Sequence, residues 1–353
     1  MREKWIDAVK AIAMLFVLLG HAGVKIPYVS SLAVLFYVPV FFVLAGYLHH
    51  HRPEETYSAY VKKRAKRLLF PYFGYSFFLL LFSIGKETAA GRLNLTEVLR
   101  SLGGIFYGVN TIPAPESLES VYKPLLNIWN APMWFLPALF LAEIIFEGML
   151  RLFRENRRPL LWGCVWCTIC GMLLSDIVPL LLPWSIASVL LSEVLLATGW
   201  ELKNHRTMEV LVQKPWLIAL LLLTAGVLRK QNGAMNISIG IWGRSVVVGM
   251  LAVLAASVAV MALVCRWDTL FPAKWKDGLH TIGRNTMPVL CLHLFVFMFV
   301  QTGLRCFLPE FPHGRGIFCE MARIGMAVVT MDIIVIGNLC FGKLRDKQKQ
   351  QNK

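Results

Sequence analysis

Ten apolar runs follow one another along this chain, at about residues 8–23, 31–49, 68–85, 133–150, 160–176, 182–200, 215–229, 237–264, 284–303 and 317–341. A bilayer core of about 30 Å takes about 20 apolar residues as a helix, and a backbone in lipid must satisfy its own hydrogen bonds. The expected fold is therefore all-α, a polytopic integral membrane protein with about ten transmembrane helices. One transmembrane domain over 1–345 and a basic cytoplasmic tail over 346–353 account for the whole length. The boundaries are weakest around Pro179 and Pro183, which split the fifth run from the sixth, and at the ends of the long eighth run.

Hydrophobic residues make up 57% of the sequence and charged residues 16%, with a formal charge of +15. That charge does not imply nucleic acid, because the Lys and Arg sit in short blocks between apolar runs and not on one soluble face. If the N-terminus is cytoplasmic, the inside connections hold 25 Lys and Arg and the outside ones nine. So lopsided a distribution records orientation, and it puts both termini inside with lipid as the main surrounding partner. Arg2 and Lys4 before an apolar run imitate a secretory signal, but Asp7, Lys10 and His21 within that run, and the spans that follow, argue against cleavage.

The eight cysteines form no secreted framework. Cys164, Cys167 and Cys170 have C-x2-C-x2-C spacing but lie in an apolar helix with no fourth ligand close behind. Cys306 and Cys319 flank an expected outside loop, where a pairing is open. The longest outside connection, about 86–132, is rich in Gly, Pro and Asn and leads to Trp129 and Trp134. Such loops are usually functional or disordered, and the tryptophans serve equally as interfacial anchors.

Ionisable residues within spans cost about 2.5 to 3.5 kcal/mol at a helix centre, so each is a site candidate. On the first helix Lys10 and His21 are eleven residues apart, which returns to within about 20° of one face over about 16 Å. Asp7 lies three residues before Lys10 and joins that stripe, where it neutralises or orients the lysine. The plainer alternative makes Asp7 and Lys10 interface markers and His21 a hydrogen-bonded core histidine. His293, Glu143, Glu193, Arg323 and Asp332 carry the same ambiguity. Between the second and third runs Tyr60, Lys62, Lys63, Arg64, Lys66 and Arg67 form a basic block. Cytoplasmic retention explains half of it, and binding of an anionic cosubstrate suits the rest. His49, His50 and His51 lie beside that block, but three adjacent side chains do not converge on one metal.

These pieces together resemble the acyltransferase type 3 family of integral membrane enzymes, most of all its fucose 4-O-acetylase-like branch. The matching segments are Trp5-Ile6-Asp7 through Lys10 to Leu19-Gly20-His21, Tyr37 to Phe42 with Ala45-Gly46-Tyr47, Lys63-Arg64 to Arg67-Leu68-Leu69-Phe70-Pro71-Tyr72, Trp134 to Leu139, and Ile282-Gly283-Arg284-Asn285 to His293. They run in family order over nearly the whole chain. Departures are Lys10 where many members have Arg, Ala45 for a common Ser, and Cys291.

The resemblance implies transfer of an acyl group, most simply acetyl, from cytoplasmic acyl-CoA to a carbohydrate hydroxyl in a bacterial plasma membrane, without a metal. It implies His21 as general base with Lys10 and Asp7 beside it; Lys10, Arg64 and Arg67 for the donor phosphates; and Trp134, Glu143 and His293 for the acceptor. Polysaccharide-assembly proteins are implied partners. Ten helices with internal polar residues also suit a transporter or flippase for a lipid-linked saccharide, although the two halves show no paired inverted repeats.

Overall fold

The computed structural model describes residues 3–109, 131–178, 182–237, 240–270, 272–314 and 316–351. It is 81% helical, with no strand among the described residues. In chain order the helices are α1 Lys4–His21, α2 Val29–Ala33, α3 Pro39–Tyr47, α4 Tyr57–Ala89, α5 Leu95–Tyr107, α6 Phe135–Leu152 and α7 Arg157–Ile177. There follow α8 Ile186–Asn204, α9 Thr207–Gln213, α10 Pro215–Asn232, α11 Val246–Leu270, α12 Ala273–Arg284, α13 Thr286–Arg305 and α14 Ile317–Gln351. Seven helices among the described residues are long and apolar enough to cross a membrane, or eight if α9 and α10, bent by 99° at Lys214, count as one span. The all-α polytopic class is thereby established.

The ten expected runs differ from this in instructive ways. The first run is helical as α1, but Lys4, Asp7 and Lys10 make it too charged to rank with the others. The second is broken into α2 and α3 just before Pro39, whose ring disfavours helix at the preceding residue. The third begins eleven residues earlier than expected, because the basic block is itself helical and Thr56 caps it by accepting from the Ala59 amide at 3.3 Å. The eighth begins at Val246, after a turn held by Asn232, whose side chain accepts from the Ser245 amide at 2.8 Å and donates to the Trp242 carbonyl. The last helix continues unbroken to Gln351, through the expected tail.

Part of the long connection is a helix, α5. Asn94 caps α5, and Gly108 ends it in the left-handed conformation at φ 64°. Tyr72 and Trp184 then donate to the carbonyls of Ile105 and Phe106, at 2.6 and 2.8 Å. Trp129 lies outside the described residues.

The chain forms two compact units, one of Met1–Val38 with Ala259–Lys353 and one of Pro39–Val258. In the first, α1 packs on α12, and α13 on α14. A Cβ at Gly283 would overlap the Asp7 carbonyl, so glycine there lets the two backbones meet. In the second, α8 packs against α3, α6 and α7. Gly46 abuts the Leu196 carbonyl and Gly199 the Val43 carbonyl, a reciprocal pair of close approaches that any side chain would block.

Candidate active site

In the first unit the site is built from the end of α1. Gly23, at φ 77°, reverses the chain: its amide donates to the Gly20 carbonyl and that of Val24 to the Leu19 carbonyl, at 3.1 and 3.0 Å. This is a Schellman stop, and glycine at its left-handed position avoids the steric penalty a Cβ would bring. His21 is left on the last turn, accessible at the wall of a cavity of about 270 Å³. Phe16, Gly20, Ser30, Ala33 and Tyr37 are among its other lining residues, and the lining is mostly apolar. Ser30 is occupied, donating to the Val24 carbonyl at 3.2 Å and accepting from the Ile26 amide at 2.9 Å.

The second intramembrane histidine lies beside the first. The rings of His21 and His293 have centroids 5.0 Å apart at an interplanar angle of 48°. His293 is fully buried, with Nδ1 3.0 Å from the carbonyls of both Val289 and Leu290, and Nε2 without a partner. It also stands edge-on to Phe297 at 5.7 Å.

At the other end of α1, Asp7 is buried and receives Arg284 Nε at 3.5 Å, while Lys10 is half-buried. The segment Ile282 to Asn285 thus has a structural content. Gly283 allows close approach to Asp7, and Arg284 brings a cation to it. Asn285 donates to the Thr281 carbonyl at 2.7 Å and accepts from Asn338 of α14 at 2.6 Å. His280 holds Asp268 at 2.9 Å between α12 and α11.

In the second unit, Tyr60, Arg64 and Arg67 recur at i, i+4 and i+7 on α4 and so share a face. Arg64 Nε donates to the Tyr60 hydroxyl and forms an ion pair with Glu143 of α6, each at 3.1 Å. Arg67 is exposed, and its charge also acts on Glu143. Trp134 is buried, edge-on to Phe135 at 6.2 Å, so a stacking role requires its indole to be uncovered.

Glu147, not among the residues expected above, is the centre of a further buried cluster. Its carboxylate holds His49 at 2.8 Å, His51 at 2.9 Å and Arg151 at 2.6 Å, while Arg151 also donates to the Glu55 carbonyl at 2.7 Å. The signal was present: Glu143, Glu147 and Arg151 recur every four residues, and His49 and His51 are two apart. Among the described residues no group of three or more His, Cys, Asp and Glu is placed to hold a metal ion, and the described cysteines are free thiols.

A helical chain with so many apolar spans is a polytopic membrane protein. A family model described as an acyltransferase domain matches residues 3–319, and the chain belongs to the acyltransferase type 3 family. It is therefore a membrane acyltransferase, with an acyl donor and an acceptor as its substrates. No curated protein and no solved structure matches it.

Proposed function

We propose that this enzyme is an O-acyltransferase, moving an acyl group, most simply acetyl, from cytoplasmic acyl-CoA to a hydroxyl of a carbohydrate, with His21 as general base. The observation that carries this reading is an accessible imidazole at the wall of a mostly apolar, partly open cavity, in a chain of this family. A neutral imidazole suits proton removal from a hydroxyl near neutral pH.

His21 takes the hydroxyl proton as the acceptor oxygen attacks the thioester carbonyl. The carbon–sulfur bond then breaks, and the departing thiolate receives that proton from the imidazolium. The ester and free CoA are the products. Asp7 and Lys10 form the polar end of the α1 stripe. On α4, Arg67 is the exposed cation for the anionic donor, and Arg64 is held ready by Tyr60 and Glu143. The polysaccharide acceptor, the fucose 4-O-acetylase-like specificity, the cytoplasmic termini and the bacterial plasma membrane belong to this proposal and rest on the resemblance and on the charge distribution.

The test compares the acyl content of surface glycans from cells expressing the unmodified chain or His21→Ala, with membrane abundance of both checked. An acyl mark made only by the unmodified chain supports the reading. A mark that survives in His21→Ala removes His21 from the chemistry.

A further inference from the structure

We infer that His293 is a positioning residue for His21, accepting a hydrogen bond through Nε2 that selects one tautomer and one orientation of the catalytic imidazole. The inference rests on the reading of His21 as base and deepens it.

Two backbone carbonyls limit what His293 can do. Its Nδ1 faces two carbonyls, which only accept, so Nδ1 carries the hydrogen and Nε2 is left with a lone pair. That lone pair is buried and unpartnered. A buried polar atom without a partner is unfavourable, so it marks either strain or a missing interaction. The neighbouring ring that can donate to it is His21, at a centroid separation of 5.0 Å. That distance leaves room for a nitrogen–nitrogen hydrogen bond of about 3 Å once the His21 ring turns in its cavity.

When His21 donates to His293, its other nitrogen is necessarily the free base. The bond also strengthens when His21 becomes an imidazolium on taking the substrate proton, because charge-assisted hydrogen bonds are the stronger ones. A buried aspartate does the same for the histidine of a serine-protease triad, and here a neutral imidazole occupies that place. Full enclosure of His293 suits this role better than direct contact with an acceptor.

The experiment uses the full-length protein in membranes with two independent readouts. The first is the initial rate of label transfer from radiolabelled acetyl-CoA to membrane glycan in vesicles of expressing cells. His293→Phe keeps the ring and its volume but has no acceptor. It should lower the maximal rate by about 100-fold while leaving the KM for acetyl-CoA unchanged. His293→Gln, whose carbonyl replaces Nε2, should restore the rate to within about tenfold of the unmodified protein.

The second readout is nitrogen NMR of labelled imidazoles, with His21→Ala used to assign the His21 signals. A single His21 tautomer should become a mixture in His293→Phe and return in His293→Gln. Full activity in His293→Phe, or an unchanged tautomer, overturns the inference. If His293→Phe does not accumulate, His293→Asn, whose amide is too short to reach, takes its place. A tautomer shift without any transfer by the unmodified protein would leave the histidine pair standing and remove acetyl transfer from acetyl-CoA instead.

Discussion

Asp7 and Arg284 come within 3.5 Å because position 283, beside the arginine, has no side chain to hold α12 off α1. The carboxylate is buried and the guanidinium half-exposed, so the pair draws on a partly desolvated contact. A valine at 283 would strike the Asp7 carbonyl, which is backbone and cannot swing aside. We expect Gly283→Val to cost at least the about 1 to 3 kcal/mol of an overpacked core, read as a lower thermal midpoint in detergent. An unchanged midpoint would show that α1 and α12 can part freely.

Glu147 joins His49, His51 and Arg151 through one buried carboxylate. Its removal leaves the buried His49 imidazole without its partner, at a cost of about 1 to 3 kcal/mol. Glu147→Ala should therefore sharply lower the folded protein recovered from membranes. Arg151→Ala, which removes a partly exposed partner, should do so much less.

Arg64 and Arg67 separate by burial. Arg67→Ala should raise the KM for the acyl donor several-fold with little change in stability, since its side chain is exposed. Arg64→Ala should lower both stability and donor use, because it leaves Glu143 and Tyr60 without their cation. Equal thermal midpoints for the two variants would contradict this division.

His49 predicts a pH dependence. Burial holds its imidazole below the ordinary histidine value, the charges of Arg64 and His51 act the same way, and Glu147 opposes them. The folded chain thus takes up this proton at lower pH than the unfolded one. Its contribution to stability is full above the unfolded value of about 6.5 and declines as pH falls below it. The fall in thermal midpoint between about pH 7.5 and 5 should be shallower in His49→Gln than in the unmodified protein.

Much of the fold was legible because lipid imposes a one-dimensional rule: a helix must be apolar for its full length to cross. Seven of the expected runs are such helices, within a few residues for most. Where that rule is diluted, reading failed. Pro39 broke a continuous apolar run, and the basic block of α4 is helical despite its charge. The turn around Asn232 took the first residues of the eighth run, and the amphipathic α5 lies within what read as loop.

For the site, helical periodicity placed Lys10 and His21 on one stripe, because that relation is internal to a single helix. Partnership between helices is not internal to any of them. That His293 lies against His21, that Arg284 reaches Asp7 and that Glu147 gathers His49, His51 and Arg151 depends on which faces meet and how closely. Glycines such as Gly283 set that distance, through contacts between residues far apart in the chain. The sequence by itself determined the membrane class, seven of the spans and the polar stripe of α1; the tertiary structure alone decided which polar groups became partners, since pairing requires proximity in space.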